Sequence, residues 1–158
     1  MADDIAAARR SGASASSERP LDMAGLENTL GFRLRLAQQY VFRDFVTRFS
    51  AIEINPVLYS ALILIEKNRR CRQSELAMAL GVQQPNLVDR IDSLVQRGLV
   101  SRTPDPQDRR ANVLMLTATG KGFMVGLHAI HDQHTAHLKR QLGEDEYAVL
   151  IGLLDKLR

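Results

Sequence analysis

One abrupt change of hydrophobic period constrains the fold of this chain more than any other feature. Apolar residues recur at helical spacing on both sides of residues 99–117, but inside that stretch they read as two short strands, Leu99–Thr103 and Ala111–Thr117. A turn rich in Pro and Asp, residues 104–110, separates the strands. The chain is therefore predicted to be mainly helical, with a single hairpin placed between helices.

Two helices are predicted early in the chain. The first runs from about Asp22 to about Phe49, where apolar residues recur every three or four positions. The second begins at Asn55-Pro56, because Asn is a good N-cap and Pro is favoured at the first helical position. A basic stretch that starts at Lys67 closes this helix, which suits the negative end of the helix dipole.

Two shorter helices joined by a glycine turn come next. The third helix starts near Gln73 and stops at Gly81, and the fourth runs from about Gln84 to just before Gly98. The fourth helix has an apolar stripe on one side and amide and charged residues on the other. Two short helices followed by a basic hairpin are typical of a winged helix-turn-helix, and two more helices are predicted after the hairpin.

The basic charge is concentrated in this middle part of the chain. The whole sequence has a formal charge of +3. Residues 67–110 contain nine Lys and Arg against five Asp and Glu, so they carry +4 while the remainder sums to −1. A local basic excess is expected for an element that faces DNA.

Composition and motifs argue against several other classes of protein. The single Cys71 excludes an intrachain disulfide, the N-terminus lacks the apolar region of a signal peptide, and no apolar run approaches membrane-spanning length. We therefore expect a cytoplasmic protein that does not enter membranes. No phosphate-binding glycine loop, HExxH or GxSxG motif occurs, so neither an enzyme nor a bound cofactor is expected.

Spaced motifs in the hairpin and in the helices beside it resemble those of the MarR family. They are Gly98-Leu99-Val100-x-Arg102, Asp105-Pro106-x-Asp108-Arg109-Arg110-Ala111, Leu116-Thr117-x-x-Gly120, and Ser74-Glu75-Leu76-Ala77 at the start of the third helix. The resemblance runs from about residue 24 to the C-terminus.

The resemblance implies a homodimer whose N- and C-terminal helices intertwine. Residues 1–21 are then a disordered tail, 22–50 a dimerisation helix, 51–118 the winged helix-turn-helix DNA-binding domain, and 119–158 the C-terminal dimerisation helices. Each protomer would present one recognition helix and one wing to a pseudo-palindromic operator in double-stranded DNA. Most relatives are repressors that a small-molecule effector releases, often an aromatic acid or a related compound.

The expected DNA contacts lie on the fourth helix, at the start of the third, and on the wing. Amide and guanidinium groups suit base edges in the major groove, and an Arg at a wing tip suits a narrow minor groove. Asp108 is expected to orient one of the wing arginines. The predicted contacts are Ser74, Gln83, Gln84, Asn86, Arg90, Asp108, Arg109 and Arg110.

The recognition helix departs from the family pattern at three positions. Family members commonly carry Arg or Lys where this chain has Asp89 and Ser93, and an apolar residue at the place of Arg90. The departure indicates either a different operator sequence or a base contact transferred to Arg90.

A ligand pocket is expected beside the first helix, where Arg33, Arg35, Tyr40 and Arg43 occur. These arginines either form a solvent face or hold an anion beside an apolar slot, since Arg pairs well with carboxylate and phosphate. Two arginines separated by one residue suit a bulky anion. The two candidate effectors are an aromatic carboxylate and its coenzyme A thioester.

Three alternatives remain open from the residues alone. The fold also serves as a protein-interaction module without specific DNA binding. The four histidines of the fifth helix raise the alternative of a metal-responsive repressor. Their spacing of three residues prevents all four from sharing one face of the helix. We therefore expect them to be surface or dimer-interface residues and expect no metal site. Arg69 and Arg70 beside Cys71 can lower the pKa of its thiol, but redox-sensing relatives carry their Cys near the first helix, so redox sensing is the less favoured alternative. The histidines are His128, His131, His134 and His137.

Overall fold

A computed structural model describes residues 21–68 and 70–157, with only the backbone of Arg109 and Arg110. Apart from Leu21, the predicted tail at residues 1–21 lies outside this described part. The chain divides into two compact units, Met1–Arg35 and Leu36–Arg158, and helix α1 runs through the boundary.

Helix α1 covers Leu30–Phe49 and starts later than the sequence predicted. The expected start near Asp22 is wrong because Ala24 and Gly25 adopt φ values of 50° and 79°, which no right-handed helix accommodates. A short 3-10 turn, Leu26–Asn28, follows them before α1 begins.

The remaining elements agree closely with the predicted order. Asn55 accepts a hydrogen bond from the backbone N–H of Leu58 at 3.0 Å, which confirms the predicted N-cap of α2. Gly81 ends α3 with φ 62°, the left-handed conformation expected of a C-terminal glycine. The elements after α1 are a 3-10 turn Ser50–Ile52, α2 Pro56–Lys67, β1 Cys71–Arg72, α3 Gln73–Leu80, α4 Gln84–Gln96, β2 Val100–Asp105, β3 Asp108–Leu116, α5 Ala118–Leu142 and α6 Glu144–Asp155.

The hairpin belongs to a three-stranded antiparallel sheet with the order β1-β3-β2. Strands β2 and β3 pair from Val100 opposite Leu116 to Asp105 opposite Asp108. Strand β1 adds two residues to the other edge of β3. It was not predicted, because two residues are too few to show an alternating pattern.

The hydrophobic core is built around the helix-turn-helix. Helices α1 to α5 and strand β3 all contribute side chains to it, and the rings of Phe45 and Phe49 stack with centroids 3.9 Å apart. Burial of these apolar surfaces is the main stabilising contribution to such a fold. Helix α6 contributes no buried residue. The predicted class, a mainly helical winged helix-turn-helix, is confirmed. The most completely buried side chains include Phe49, Leu62, Leu76, Leu87, Ile91, Leu94, Leu114, Met124 and Leu127.

Helix α5 contacts α1 through a charged cluster centred on Asp44. The Nδ1 atom of His134 lies 2.6 Å from Oδ2 of Asp44, and Nε of Arg48 lies 2.7 Å from the same oxygen. Hydrogen bonds from Arg48 and then from His134 lower the pKa of Asp44 from 3.8 to about 2, against the opposing effect of burial. His134 is only 5% exposed, so the expected surface or interface position is wrong for this histidine.

Two further histidines of α5 contact α2. The His131 ring stacks on Tyr59 with centroids 4.6 Å apart, and burial lowers the pKa of His131. Nε2 of His128 lies 3.0 Å from a carboxylate oxygen of Glu66. Within residues 21–68 and 70–157, no group of three or more His, Cys, Asp or Glu side chains is arranged to hold a metal ion.

Cys71 lies in β1 and is buried. Burial, and secondarily the carboxylate of Glu75, raise the pKa of its thiol. A raised thiol pKa argues against the redox-sensing alternative, which required a lowered one.

No single helix in the described part of the chain is long and apolar enough to cross a membrane. Only Leu30–Ile52 and Pro56–Lys67 taken together, as a pair bent by 71°, reach the necessary length and apolar character.

A tight junction joins the hairpin to α5. The Thr117 hydroxyl donates to the carbonyl of Gly98 at 2.6 Å and accepts from the N–H of Gly120 at 2.9 Å. A Cβ atom on Gly120 would lie 2.0 Å from the carbonyl oxygen of Leu99, far inside van der Waals contact. Only glycine therefore fits at this position of α5 against the backbone of Leu99.

Substitution of Gly120 tests this junction. We expect Gly120→Ala to lower the free energy of unfolding by about 1–3 kcal/mol, because backbone must move to admit the methyl group. The matched control is Gly122→Ala in the same helix, where an added Cβ meets nothing within 4 Å. That variant should be neutral or gain up to ~1 kcal/mol from helix propensity. Equal urea-unfolding curves for the two variants would show that the contact with Leu99 does not require glycine at position 120.

Candidate nucleic-acid interface

Helix α4 separates a buried apolar side from an exposed polar side. Leu87, Ile91 and Leu94 are completely buried. The α4 residues that the sequence predicted as base contacts are all exposed and belong to the N-terminal half of the helix, although they do not share one face. They are Gln83, Gln84, Asn86 and Arg90.

Arg90 is exposed, and within the described residues it makes no ion pair. Asp89 is exposed beside it. The hydroxyl of Ser93 donates to the carbonyl of Arg90 at 2.7 Å, so this side chain is occupied by its own helix. Of the three positions that depart from the family pattern, Arg90 is the one that supplies an exposed cation.

Helix α3 presents its N-terminus on the exposed surface through Ser74. The helix start is fixed by Glu75, whose carboxylate accepts the backbone N–H of Arg72 at 3.0 Å. Gly81 then turns the chain into α4. The two helices of the motif are thus held together by a glycine turn and a common buried side.

Two half-buried arginines, Arg97 and Arg102, connect α4 to neighbouring elements. The guanidinium of Arg97 donates to the carbonyl of Ile52 at 2.9 Å and lies 5.5 Å from the Phe123 ring centroid. Arg102 on β2 pairs with Asp92 of α4 at 2.6 Å. These contacts tie the recognition helix to the linker before α2, to α5 and to the hairpin.

The hairpin is anchored at its tip by Asp105, which is completely buried. One carboxylate oxygen accepts from Nε of Arg72 at 2.6 Å, and the other contacts Arg70 and accepts the N–H of Gln107 at 2.9 Å. The Gln107 hydrogen bond, then the hydrogen bond from Arg72 and the charges of Arg70 and Arg72, lower the pKa of Asp105 despite its burial. We call this group, Asp105 with Arg70 and Arg72, the wing clamp.

The wing clamp joins three elements. Asp105 ends β2, Arg72 lies in β1, and the residue after Arg72 begins α3. The orientation of the hairpin is therefore fixed relative to the helix-turn-helix. In the sequence, Asp105 is recognisable only as part of a turn and a family motif, because its partners lie 33 and 35 residues away in the chain.

The wing tip itself contains Asp108, Arg109 and Arg110 at the start of β3. Asp108 pairs with Asp105 in the strand register. The side chains of Arg109 and Arg110 lie outside the described residues, so their predicted orientation by Asp108 stays a prediction.

The four residues expected to bind a ligand fall on both units of the chain. In the first unit, Nε of Arg33 donates to the carbonyl of Glu27, and Arg35 lies over the Phe32 ring, 5.0 Å from its centroid. In the second unit, the Tyr40 hydroxyl lies 3.4 Å from Nε2 of His137.

Arg43 is exposed, like the other three predicted ligand residues. Within one copy of the chain, Arg33 and Arg35 use their guanidinium groups for the local contacts just described. Their role in binding an effector stays a prediction.

Known proteins resemble this chain in both sequence and fold. The sequence pattern of the MarR family matches residues 54–111, which contain α2 to α4 and the wing tip. A putative transcriptional regulatory protein for the hcr operon of Thauera aromatica is 33% identical over 129 residues, which cover 81% of this chain and 78% of that protein.

Solved structures of the transcriptional repressor CouR share the architecture. CouR bound to a 23-mer DNA duplex superposes with a TM-score of 0.83 and 34% identity, covering 88% of this chain and 99% of CouR. CouR bound to p-coumaroyl-CoA gives a TM-score of 0.79 and 33% identity, covering 87% and 96%. Similarity of this extent, together with the clamped wing and the exposed polar side of α4, shows that the chain belongs to the MarR family of DNA-binding transcriptional regulators.

Proposed function

We propose that this chain is a homodimeric repressor that leaves a pseudo-palindromic operator when a small anionic ligand binds. The observation that carries the proposal is the wing clamp, which holds a basic hairpin beside the exposed polar side of α4. Each protomer thereby offers a major-groove helix and a minor-groove hairpin in one fixed arrangement. In this proposal residues 51–118 form the DNA-binding domain.

The proposed DNA contacts divide by groove. Gln83, Gln84, Asn86 and Arg90 read base edges in the major groove, where amides suit adenine and guanidinium suits guanine. Ser74 contacts a phosphate at the exposed start of α3. The wing residues Asp108, Arg109 and Arg110 enter the minor groove, whose negative potential attracts arginine.

Homodimerisation is supported by the apolar surface that α6 leaves uncovered. Val149, Leu153 and Leu157 are 61%, 53% and 61% exposed, although an apolar helix face is stable only when something covers it. A second copy of the chain supplies such a cover with closed two-fold symmetry. Residues 22–50 and 119–158 form this dimerisation region in the proposal.

The effector proposed is an aromatic carboxylate or its coenzyme A thioester, held by Arg33, Arg35, Tyr40 and Arg43. The support is chemical: guanidinium groups bind carboxylate and phosphate, and CouR, a repressor of similar sequence, has been solved with p-coumaroyl-CoA. The hcr-operon protein of Thauera aromatica supports a regulatory role in the same way.

Release would occur by a shift between two arrangements of the dimer. Two recognition helices must lie about 34–36 Å apart to enter successive major grooves. A ligand that binds better to a dimer with a different spacing lowers operator affinity by its differential affinity for the two states.

Selection from a pool of random DNA duplexes tests the DNA-binding part of the proposal. We expect enrichment of an imperfect palindrome with half-sites about one helical turn apart, and a steep loss of affinity with salt of about 0.9 log units per neutralised phosphate. If no sequence is enriched even at low salt, the protein-interaction module replaces this proposal.

The enriched duplex then serves as the probe for the effector. 4-Hydroxycinnamate and its coenzyme A thioester should release it, and Arg33→Gln/Arg35→Gln should raise the concentration needed about tenfold. The matched control is Arg140→Gln, an exposed arginine at the end of α5. No release by either compound would reject the effector while leaving the DNA-binding result intact.

Substitution of Arg90 tests whether this residue recognises a base. We expect both Arg90→Ala and Arg90→Lys to lower operator affinity about tenfold or more and to relax specificity at one base pair per half-site, since a bidentate contact to guanine is lost. Arg140→Ala should bind normally. Retained affinity and specificity in Arg90→Lys would show that Arg90 contacts a phosphate instead.

Substitution of Asp105 tests whether the wing clamp fixes the orientation of the hairpin. Asp105→Asn preserves size but leaves Arg70 and Arg72 without a counter-charge, so the hairpin should lose its fixed orientation. Hydroxyl-radical footprints should then lose protection in the minor groove while keeping it in the major groove. The control is Asp155→Asn, an exposed carboxylate at the end of α6. An unchanged footprint in Asp105→Asn would refute the positioning role.

A further inference from the structure

A cleft of about 540 Å³ lies where the end of α2, the end of β3 and the start of α5 meet. Its volume is within the range of small-molecule binding sites. It belongs entirely to the second unit and contains none of the α1 residues considered above. We call it the lysine cleft; its lining includes Ile65, Lys67, Asn68, Met115, Leu116 and Lys121.

Two ammonium groups from different elements give this cleft a positive rim. Lys67 and Lys121 are both exposed, and within residues 21–68 and 70–157 neither forms an ion pair. The one acidic lining residue, Glu66, is already engaged, with its oxygens 3.0 and 3.2 Å from Nε2 of His128. The cleft therefore has a surplus of positive charge facing solvent.

The two helix ends beside the cleft differ in sign: the N-terminus of α5 is positive and the C-terminus of α2 is negative. Lys121 lies near the N-terminus of α5, whose first turn contains no acidic residue, although the positive end of a helix dipole disfavours a cation there. At the negative end of α2, Asn68 covers the Leu64 carbonyl with its backbone N–H at 3.1 Å and its Nδ2 at 2.7 Å. An anion in the cleft would therefore be favoured by the N-terminus of α5, while Asn68 weakens the opposing effect of one carbonyl at the end of α2.

The floor of the cleft is apolar. Ile65 is 3% exposed, whereas Met115 leaves 41% of its surface open to the cleft and solvent. Leu116 lines the cleft beside it. An apolar floor below a cationic rim suits a molecule with an apolar body and a negative head group.

We propose that the lysine cleft binds an organic carboxylate with an apolar body, its carboxylate between Lys67 and Lys121 and its body on Met115. A ligand there touches the DNA-binding core through α2, the wing through β3, and α5 at the same time. The site is separate from the arginines of α1 and does not depend on the effector proposed for them.

Methionine-methyl NMR on the full-length protein tests the site directly. With 4-hydroxycinnamate as the probe, the Met115 methyl signal, assigned with Met115→Leu, should shift saturably in the millimolar range, about 1–10 mM. The buried methyl of Met124, 1% exposed, should stay in place and report an intact fold. The neutral analogue 4-hydroxycinnamamide should produce no comparable shift.

Charge variants complete the test. Lys67→Gln/Lys121→Gln should weaken binding about tenfold or more, whereas Lys156→Gln, an exposed lysine at the end of α6, should not. An unmoved Met115 methyl, equal binding by the double variant, or equal binding of the amide would each overturn the proposal. A double variant that lowers only the salt dependence of DNA binding would also overturn it, by assigning the lysines to phosphates of DNA.

Discussion

The carboxylate of Asp105 is completely removed from water, and much of the DNA-binding surface depends on how its charge is balanced. Burying an ionised carboxylate is costly unless hydrogen bonds and opposite charges surround it. Here those partners come from β1 and from the next turn of the chain, Arg70, Arg72 and the N–H of Gln107. Asp105 can therefore be buried at low cost only when the hairpin has docked against Arg70 and β1, just before the start of α3.

This arrangement changes how the basic charge of the middle region is interpreted. The excess of Lys and Arg over residues 67–110 looked like a single DNA-facing feature in the sequence. The structure divides it. Four of those cations hold the fold together, and Arg90 stands exposed on α4. The density of basic residues along a sequence thus overestimates the number of cations available to DNA, because some of them form contacts within the protein. The four internal cations are Arg70, Arg72, Arg97 and Arg102.

Sequence reasoning succeeded where the deciding interaction was local. The N-cap at Asn55 and the glycine turn at Gly81 were predicted because a helix end is determined within a few residues. It failed where the partner is distant in the chain: β1 needs β3 to exist, and the role of Asp105 depends on arginines more than thirty residues away. The burial of His134 was missed for the same reason, since its partner Asp44 lies on another helix.

The close approach of Gly120 to Leu99 has a mechanical consequence for α5. This helix has 25 residues and is about 37 Å long, so one degree of tilt at its base moves its far end by about 0.6 Å. A bulkier residue at this position would push α5 away from the Leu99 carbonyl. With glycine there, and the Thr117 hydroxyl bonded on both sides, α5 and the hairpin have no slack between them. We therefore expect a displacement at the distant end of α5 to reach the base of the wing through this contact.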